Sequence, residues 1–137
     1  MTLSATDLTA LTQLLVAHEG LRLRPYSDTV GKLTIGVGRN LTDKGISEAE
    51  AYYLLDDDIA DVDIGLNLAL PWTTALDAVR LRVLLDIGFN AGIEGLLRFH
   101  KMLAALERGD HETAAQEILN SALAPHRKQR LADLMRS

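Results

Sequence analysis

Cysteine is absent from these 137 residues, which excludes a disulfide framework and any thiolate zinc site and leaves the chain indifferent to reducing conditions. Long apolar runs are absent too: none approaches the roughly 20 residues that a membrane-spanning helix needs. The opening stretch Met-Thr-Leu-Ser-Ala-Thr-Asp-Leu8 has neither the basic segment nor the apolar core of a secretory signal. The expectation is a chain that stays in the cytoplasm until something else releases it, without stable membrane insertion. Repeats, low-complexity tracts and flexible linkers are also missing. His18, His100, His111 and His126 show no metal-ligand spacing, so neither a metal nor a cofactor is expected.

What is present describes one globular domain. Hydrophobic residues make up 47% and charged residues 24%, a balance that favours a packed core over disorder. The length suits a single domain or two small lobes sharing a helix. The net charge of −5 is uneven. Residues 42–68 carry eight acids against Lys44, and residues 97–137 carry seven Lys/Arg against five acids. An acidic connector followed by a mildly basic end argues against nucleic acid as a partner.

Leu8, Leu11, Leu14 and Leu15 recur at helical spacing after the possible caps Ser4 and Thr6, and Gly20 is placed to end that helix in a left-handed cap. Glu19 then lies in its last turn. From Leu33 the period falls to two, Leu33, Ile35 and Val37 alternating with Thr34, Gly36 and Gly38, so residues 22–37 read as a small antiparallel sheet turning at Ser27–Gly31. Ser47-x-x-Glu50 is a capping box. It opens a helix over 47–68 with Leu55, Ile59, Val62 and Leu66 on one stripe, roughly 33 Å long at 1.5 Å per residue, ended by Pro71. Trp72 follows, as core. Asp77 caps a helix that is apolar nearly all round, suited to the centre of a bundle. Leu96, Phe99, Leu103 and Leu106 form one further stripe closed by Gly109. Asp110 starts a helix through Leu119, and Pro125 a last one ending near Met135. The fold class is α+β: a small antiparallel β-hairpin lobe (about 20–46), a long connecting helix (about 47–68) and a mainly α-helical lobe (about 71–137) on which residues 1–19 pack.

The most informative pattern is Glu19, Asp28 nine residues later, and Thr34 within Leu33-Thr-Ile-Gly-Val-Gly38. Cleaving an acetal between sugars requires a proton on the leaving oxygen and a nucleophile at the anomeric carbon. Glu19 faces the negative end of a helix dipole, which suits a residue that must deliver a proton. Asp28 on a turn and the Thr34 hydroxyl can together orient one water. Gly36 and Gly38 leave the hairpin face open to a sugar ring. Taken singly, each residue has an ordinary structural role as helix end, Asx cap or strand threonine, and the spacing alone does not establish catalysis.

His18-Glu-Gly-Leu-Arg-Leu-Arg-Pro-Tyr-Ser-Asp28, Gly31 and Leu33-Thr-Ile-Gly-Val-Gly38 together resemble the phage-type lysozymes, glycoside hydrolase family 24. The likeness continues in Ala75-Leu-Asp-Ala-Val-Arg80, Phe89-Asn-Ala-Gly92 and Arg127-Lys-Gln-Arg-Leu131, over nearly the whole chain. It implies a lysozyme-like two-lobed fold, one domain over 1–137, with bacterial peptidoglycan bound between the lobes. It implies a muramidase that hydrolyses the β-1,4 bond from N-acetylmuramic acid to N-acetylglucosamine, with Glu19 as general acid and Asp28 and Thr34 positioning water. Asn40, Phe89 and Asn90 match substrate-binding positions, with core packing of Phe89 and loop capping by Asn40 and Asn90 as the structural alternatives. Gly36 and Arg127 match supporting positions, Arg127 as an arginine that reaches the catalytic glutamate. Arg39 and Asp58 match an ion pair between hairpin and long helix. The family also implies a monomeric endolysin of phage or prophage origin, dependent for host lysis on a holin-type membrane permeabiliser.

The chain departs from the family pattern at residues 121–127, which are shorter than the usual connection and lack its aromatic pair. Its acidic balance is also unlike many wall-degrading enzymes. Two alternatives stay open: a lytic transglycosylase using Glu19, and a non-catalytic wall-binding protein.

Overall fold

The computed structural model describes residues 2–137. The chain divides into two compact units, Met1–Tyr52 and Tyr53–Ser137. Six α-helices and one three-stranded antiparallel sheet appear among the described residues, the α+β class that the patterning predicts.

In the first unit, α1 (Ala5–Glu19) is capped by Ser4, whose hydroxyl accepts from the Asp7 N–H; Thr6 lies inside the helix. Gly20 ends it with φ 77° and ψ 165°, a positive-φ exit into extended backbone rather than the expected left-handed turn. Leu8, Leu11, Leu14 and Leu15 are all exposed. Strands β1 (Arg22–Ser27), β2 (Leu33–Gly36) and β3 (Arg39–Asn40) pair in sequence order. The register runs Tyr26 to Thr34 and Thr34 to Asn40, with an irregularity between Arg22 and Tyr26. The third strand is too short to leave a period in the sequence. Helix α2 (Glu48–Ala69) begins here with the predicted capping box: Glu50 N–H donates to Ser47 Oγ, and Ser47 N–H donates to Glu50 Oε1.

The second unit holds the apolar core. Of the predicted α2 stripe, Leu66 is fully buried while Ile59 is exposed. A 3₁₀ turn (Pro71–Ala75) follows, with Trp72 packed against the core. Helix α3 (Ala78–Leu97) starts at Asp77, whose carboxylate accepts from Val79 and Arg80 N–H. Val83, Leu84 and Ile87 on it are completely buried, as an all-round apolar helix requires. The segment is interrupted at Gly92. The expected single stripe over Leu96–Leu106 is divided: Leu96 belongs to the end of α3, Phe99 caps α4 (His100–Glu107), and Leu103 and Leu106 are buried on α4. Apolar spacing alone does not register a break of two residues. Helices α5 (His111–Leu119) and α6 (Pro125–Arg136) complete the unit, Asp110 capping α5 through Thr113 N–H and Pro125 opening α6. Among the described residues no helix is long and apolar enough to cross a membrane.

Candidate active site

Glu19 is the last residue of α1, and its side chain reaches across the hairpin. A β-carbon placed on Gly38 would lie 3.1 Å from Glu19 Oε2 and 3.4 Å from Glu19 Cδ. Gly38 also has φ 70°, a conformation that side-chain-bearing residues avoid. It therefore turns the chain and seats the carboxylate at once. The sequence suggested that both hairpin glycines open the sheet face; at Gly38 the space belongs to Glu19. Gly36 is the open one, with nothing within 4 Å of its missing β-carbon.

Asp28 is fixed by its own turn. Its Oδ1 accepts from Val30 N–H at 2.9 Å and Lys32 N–H at 2.8 Å. Its N–H donates to the Lys32 carbonyl at 2.9 Å. Oδ2 makes no hydrogen bond among the described residues, so one carboxylate oxygen is structural and the other is available. Thr34, on β2, is 5% exposed. Its hydroxyl donates to the Lys32 carbonyl at 3.1 Å, which leaves its lone pairs free to accept from a water. The Asp28 carboxylate and the Thr34 hydroxyl are thus both tied to the backbone of Lys32, the first through its N–H and the second through its carbonyl. The register sets Thr34 against Asn40 on β3.

The Asn40 amide is used at both ends by Asp43: Oδ1 accepts from Asp43 N–H at 2.9 Å, and Nδ2 donates to Asp43 Oδ2 at 3.1 Å. It holds the turn after β3 and keeps one N–H for other partners. The neighbouring Arg39 forms an ion pair with Glu50, its Nη1 alone donating to both carboxylate oxygens at 2.9 and 2.7 Å. The partner implied by the resemblance was Asp58. Glu50 takes the place because the capping box sets it in the first turn of α2, whereas Asp58 lies roughly 12 Å further along the helix. The Arg39 guanidinium, and after it the Ser47 N–H, hold the Glu50 carboxyl at about 2, below its ordinary 4.5.

In the second unit, Phe89 is 48% exposed and Asn90 is exposed as well, so Phe89 is not a core residue. Both sit on the last turn of α3 before the Gly92 break, and Asn90 lines a cavity of about 650 Å³ with Arg98, Phe99 and Leu123. The short connection is braced by Ser121, whose hydroxyl donates to Ile118 O at 2.6 Å and accepts from Leu123 N–H at 3.3 Å. Arg127 on α6 pairs with Asp86 on α3 at 2.5 Å. Asp86 escaped the sequence reading because its partner lies forty-one residues further along the chain.

A carboxylate seated on a hairpin glycine, with a turn aspartate and a buried threonine on the same small sheet, marks a lysozyme-like α+β protein. The phage lysozyme family model matches residues 16–136: the chain belongs to the phage lysozyme family. It is also similar to the pre-baseplate central spike protein Gp5 of Enterobacteria phage T4, 31% identical over 133 residues, covering 77% of this chain and 23% of that protein. The chain therefore spans less than a quarter of that relative's length.

Proposed function

We propose that this chain is a peptidoglycan-degrading muramidase that hydrolyses the β-1,4 bond between N-acetylmuramic acid and N-acetylglucosamine. The observation that carries the reading is the seat of Glu19 on Gly38, within the unit whose turn and strand hold Asp28 and Thr34. Glu19 protonates the leaving oxygen. Asp28, through its free oxygen, accepts a proton from water, and the Thr34 hydroxyl fixes that water by accepting its second hydrogen. Two acceptors define the orientation of one water, which converts much of the entropy of a bimolecular attack into binding.

Phe89 and Asn90, both exposed on α3, offer a sugar an apolar face and an amide. Asn40 contributes its remaining N–H. Gly36 keeps the sheet surface free for a ring, and Arg127, held by Asp86, is a supporting cation. In this reading residues 1–137 act as one monomeric lysozyme domain that lyses the host from within, after a holin-type protein opens the membrane.

The likeness to a phage spike protein favours a second setting for the same chemistry, a muramidase carried on the virion that opens the wall at entry. Antibody detection of the chain in purified particles separates the two settings.

Clearing of chloroform-treated Gram-negative cells, followed by mass spectrometry of the fragments, tests the chemistry. Reducing muramic acid ends are expected. Products with 1,6-anhydro ends would replace the hydrolase by a transglycosylase, and wall binding without clearing would replace it by a non-catalytic wall-binding protein.

A further inference from the structure

Lys32 has no catalytic part in the reading above, yet the hairpin is organised around it. Its N–H donates to Asp28 Oδ1 at 2.8 Å. Its carbonyl accepts from Asp28 N–H at 2.9 Å and from Thr34 Oγ1 at 3.1 Å. One residue's backbone thus fixes both water-holding groups. Its side chain runs the other way, Nζ lying 3.2 Å from Asp43 Oδ1. Asp43 is locked to Asn40 by two hydrogen bonds, and Asn40 is the ladder partner of Thr34. The contacts close a ring: Asp28, Lys32, Asp43, Asn40, Thr34 and back to Lys32.

We propose that Lys32 and Asp43 are positioning residues for the hydrolytic water, their ion pair setting the placement of the Lys32 backbone and hence of the Asp28 oxygen and the Thr34 hydroxyl. The inference rests on the muramidase reading. Neither residue touches the substrate. An ion pair with side chains 40% and 58% exposed is ordinarily worth little, because two long side chains must be ordered in water. Here three of the four anchor points are already ordered. Asp43 is held by Asn40, and the Lys32 backbone is held by Asp28 and by Thr34, so only the lysine side chain pays conformational entropy. What the pair adds is a tether on the one residue whose N–H holds the Asp28 carboxylate and whose carbonyl holds the Thr34 hydroxyl. A purely structural pair would change melting temperature and leave turnover alone; a positioning pair does the reverse.

The test uses the full chain and soluble, uncrosslinked glycan strands at low salt, reading kcat and KM for reducing-end release together with amide hydrogen exchange at Val30 and at residue 32. Lys32→Met and Asp43→Asn should each lower kcat about two- to fivefold, the scale of one exposed ion pair, with KM unchanged. The double variant should be no worse than either single one, since both remove the same contact. Lys32→Arg should restore most of the turnover. Exchange at Val30, whose N–H reports the Asp28 turn, should quicken in Lys32→Met and return to normal in Lys32→Arg. Wild-type kcat together with wild-type Val30 exchange in Lys32→Met overturns the proposal, and so does a loss confined to KM or to melting temperature. If the wild-type chain itself releases no reducing ends, the muramidase reading falls, while Val30 exchange still decides whether Lys32 and Asp43 hold the turn.

Discussion

Glu19 Oε2 stands 3.1 Å from the position a β-carbon on Gly38 would occupy. A residue at the end of a helix and a residue at the end of a hairpin are thereby matched to one another, because the absence of a side chain at one makes room for the carboxylate of the other. The first prediction follows from that match. Gly38→Ala should reduce lysis far more than it reduces stability, by pushing the acid aside. Gly109→Ala is the control. It carries the same positive-φ strain, with φ 80°, on the order of 1 kcal/mol, but its β-carbon meets nothing. Equal activity in the two variants, measured at equal loss of melting temperature, would show that Gly38 does not seat Glu19.

Glu19→Gln should leave the fold intact, since the side chain is exposed and the amide nearly isosteric. Lytic rate should fall by about 10²–10⁴-fold, the usual contribution of a positioned acid. Turbidity clearing and circular dichroism on the same sample read both quantities. Retention of more than about a tenth of the wild-type rate, well above that range, removes Glu19 from the acid role.

Asp28→Asn and Thr34→Ala should lower turnover with little change in wall affinity, because each removes water positioning and not sugar contact. The Asp28 turn survives as Asn, whose amide oxygen still accepts from Val30 and Lys32 N–H. In Thr34→Ala the Lys32 carbonyl keeps its bond from Asp28 N–H, so no buried acceptor is orphaned. A rise in KM at constant kcat would assign both residues to binding.

Glu50 makes acid stability a test of the Arg39 contact. Its carboxyl titrates at about 2 in the folded chain against an ordinary 4.5. A depressed carboxylate stabilises the folded state above its unfolded pKa and loses that contribution as pH falls through its folded pKa. Thermal melting of wild type should therefore decline between about pH 4.5 and pH 2, and Glu50→Gln should flatten that part of the curve. The effect will be modest, because the pair is partly solvated and screened. Parallel curves for the two proteins would remove Glu50 from the acid limb.

Most of the fold was legible in the sequence wherever one local signal was strong. The Ser47–Glu50 box, the Asp77 and Asp110 caps and Pro125 each mark an element boundary through a single hydrogen-bonding or steric rule, and each marks a real one. The break between Leu96 and His100 was not legible, because the two flanking helices share a hydrophobic phase. At the site, the positions of Glu19, Asp28 and Thr34 on helix end, turn and strand were readable from their neighbours. What supports them was not: Lys32 to Asp43 spans eleven residues, Arg39 to Glu50 eleven and Arg127 to Asp86 forty-one. Charges separated so far along the chain carry no local period, and only folded coordinates pair them.

Asp28 presents the reaction with one oxygen instead of two, and this has a stereochemical consequence. Two amide donors on Oδ1 fix the carboxylate in its turn and leave Oδ2 to meet a water. We expect the sugar to meet water and not the protein, so that no glycosyl ester forms and the freed muramic acid first appears as the α-anomer, the inverted configuration. Proton NMR of the anomeric region in the first minutes of hydrolysis, before mutarotation blurs the signals, reads this directly. A β-anomer arriving first would make Asp28 a nucleophile and its Asx turn a device for aiming it.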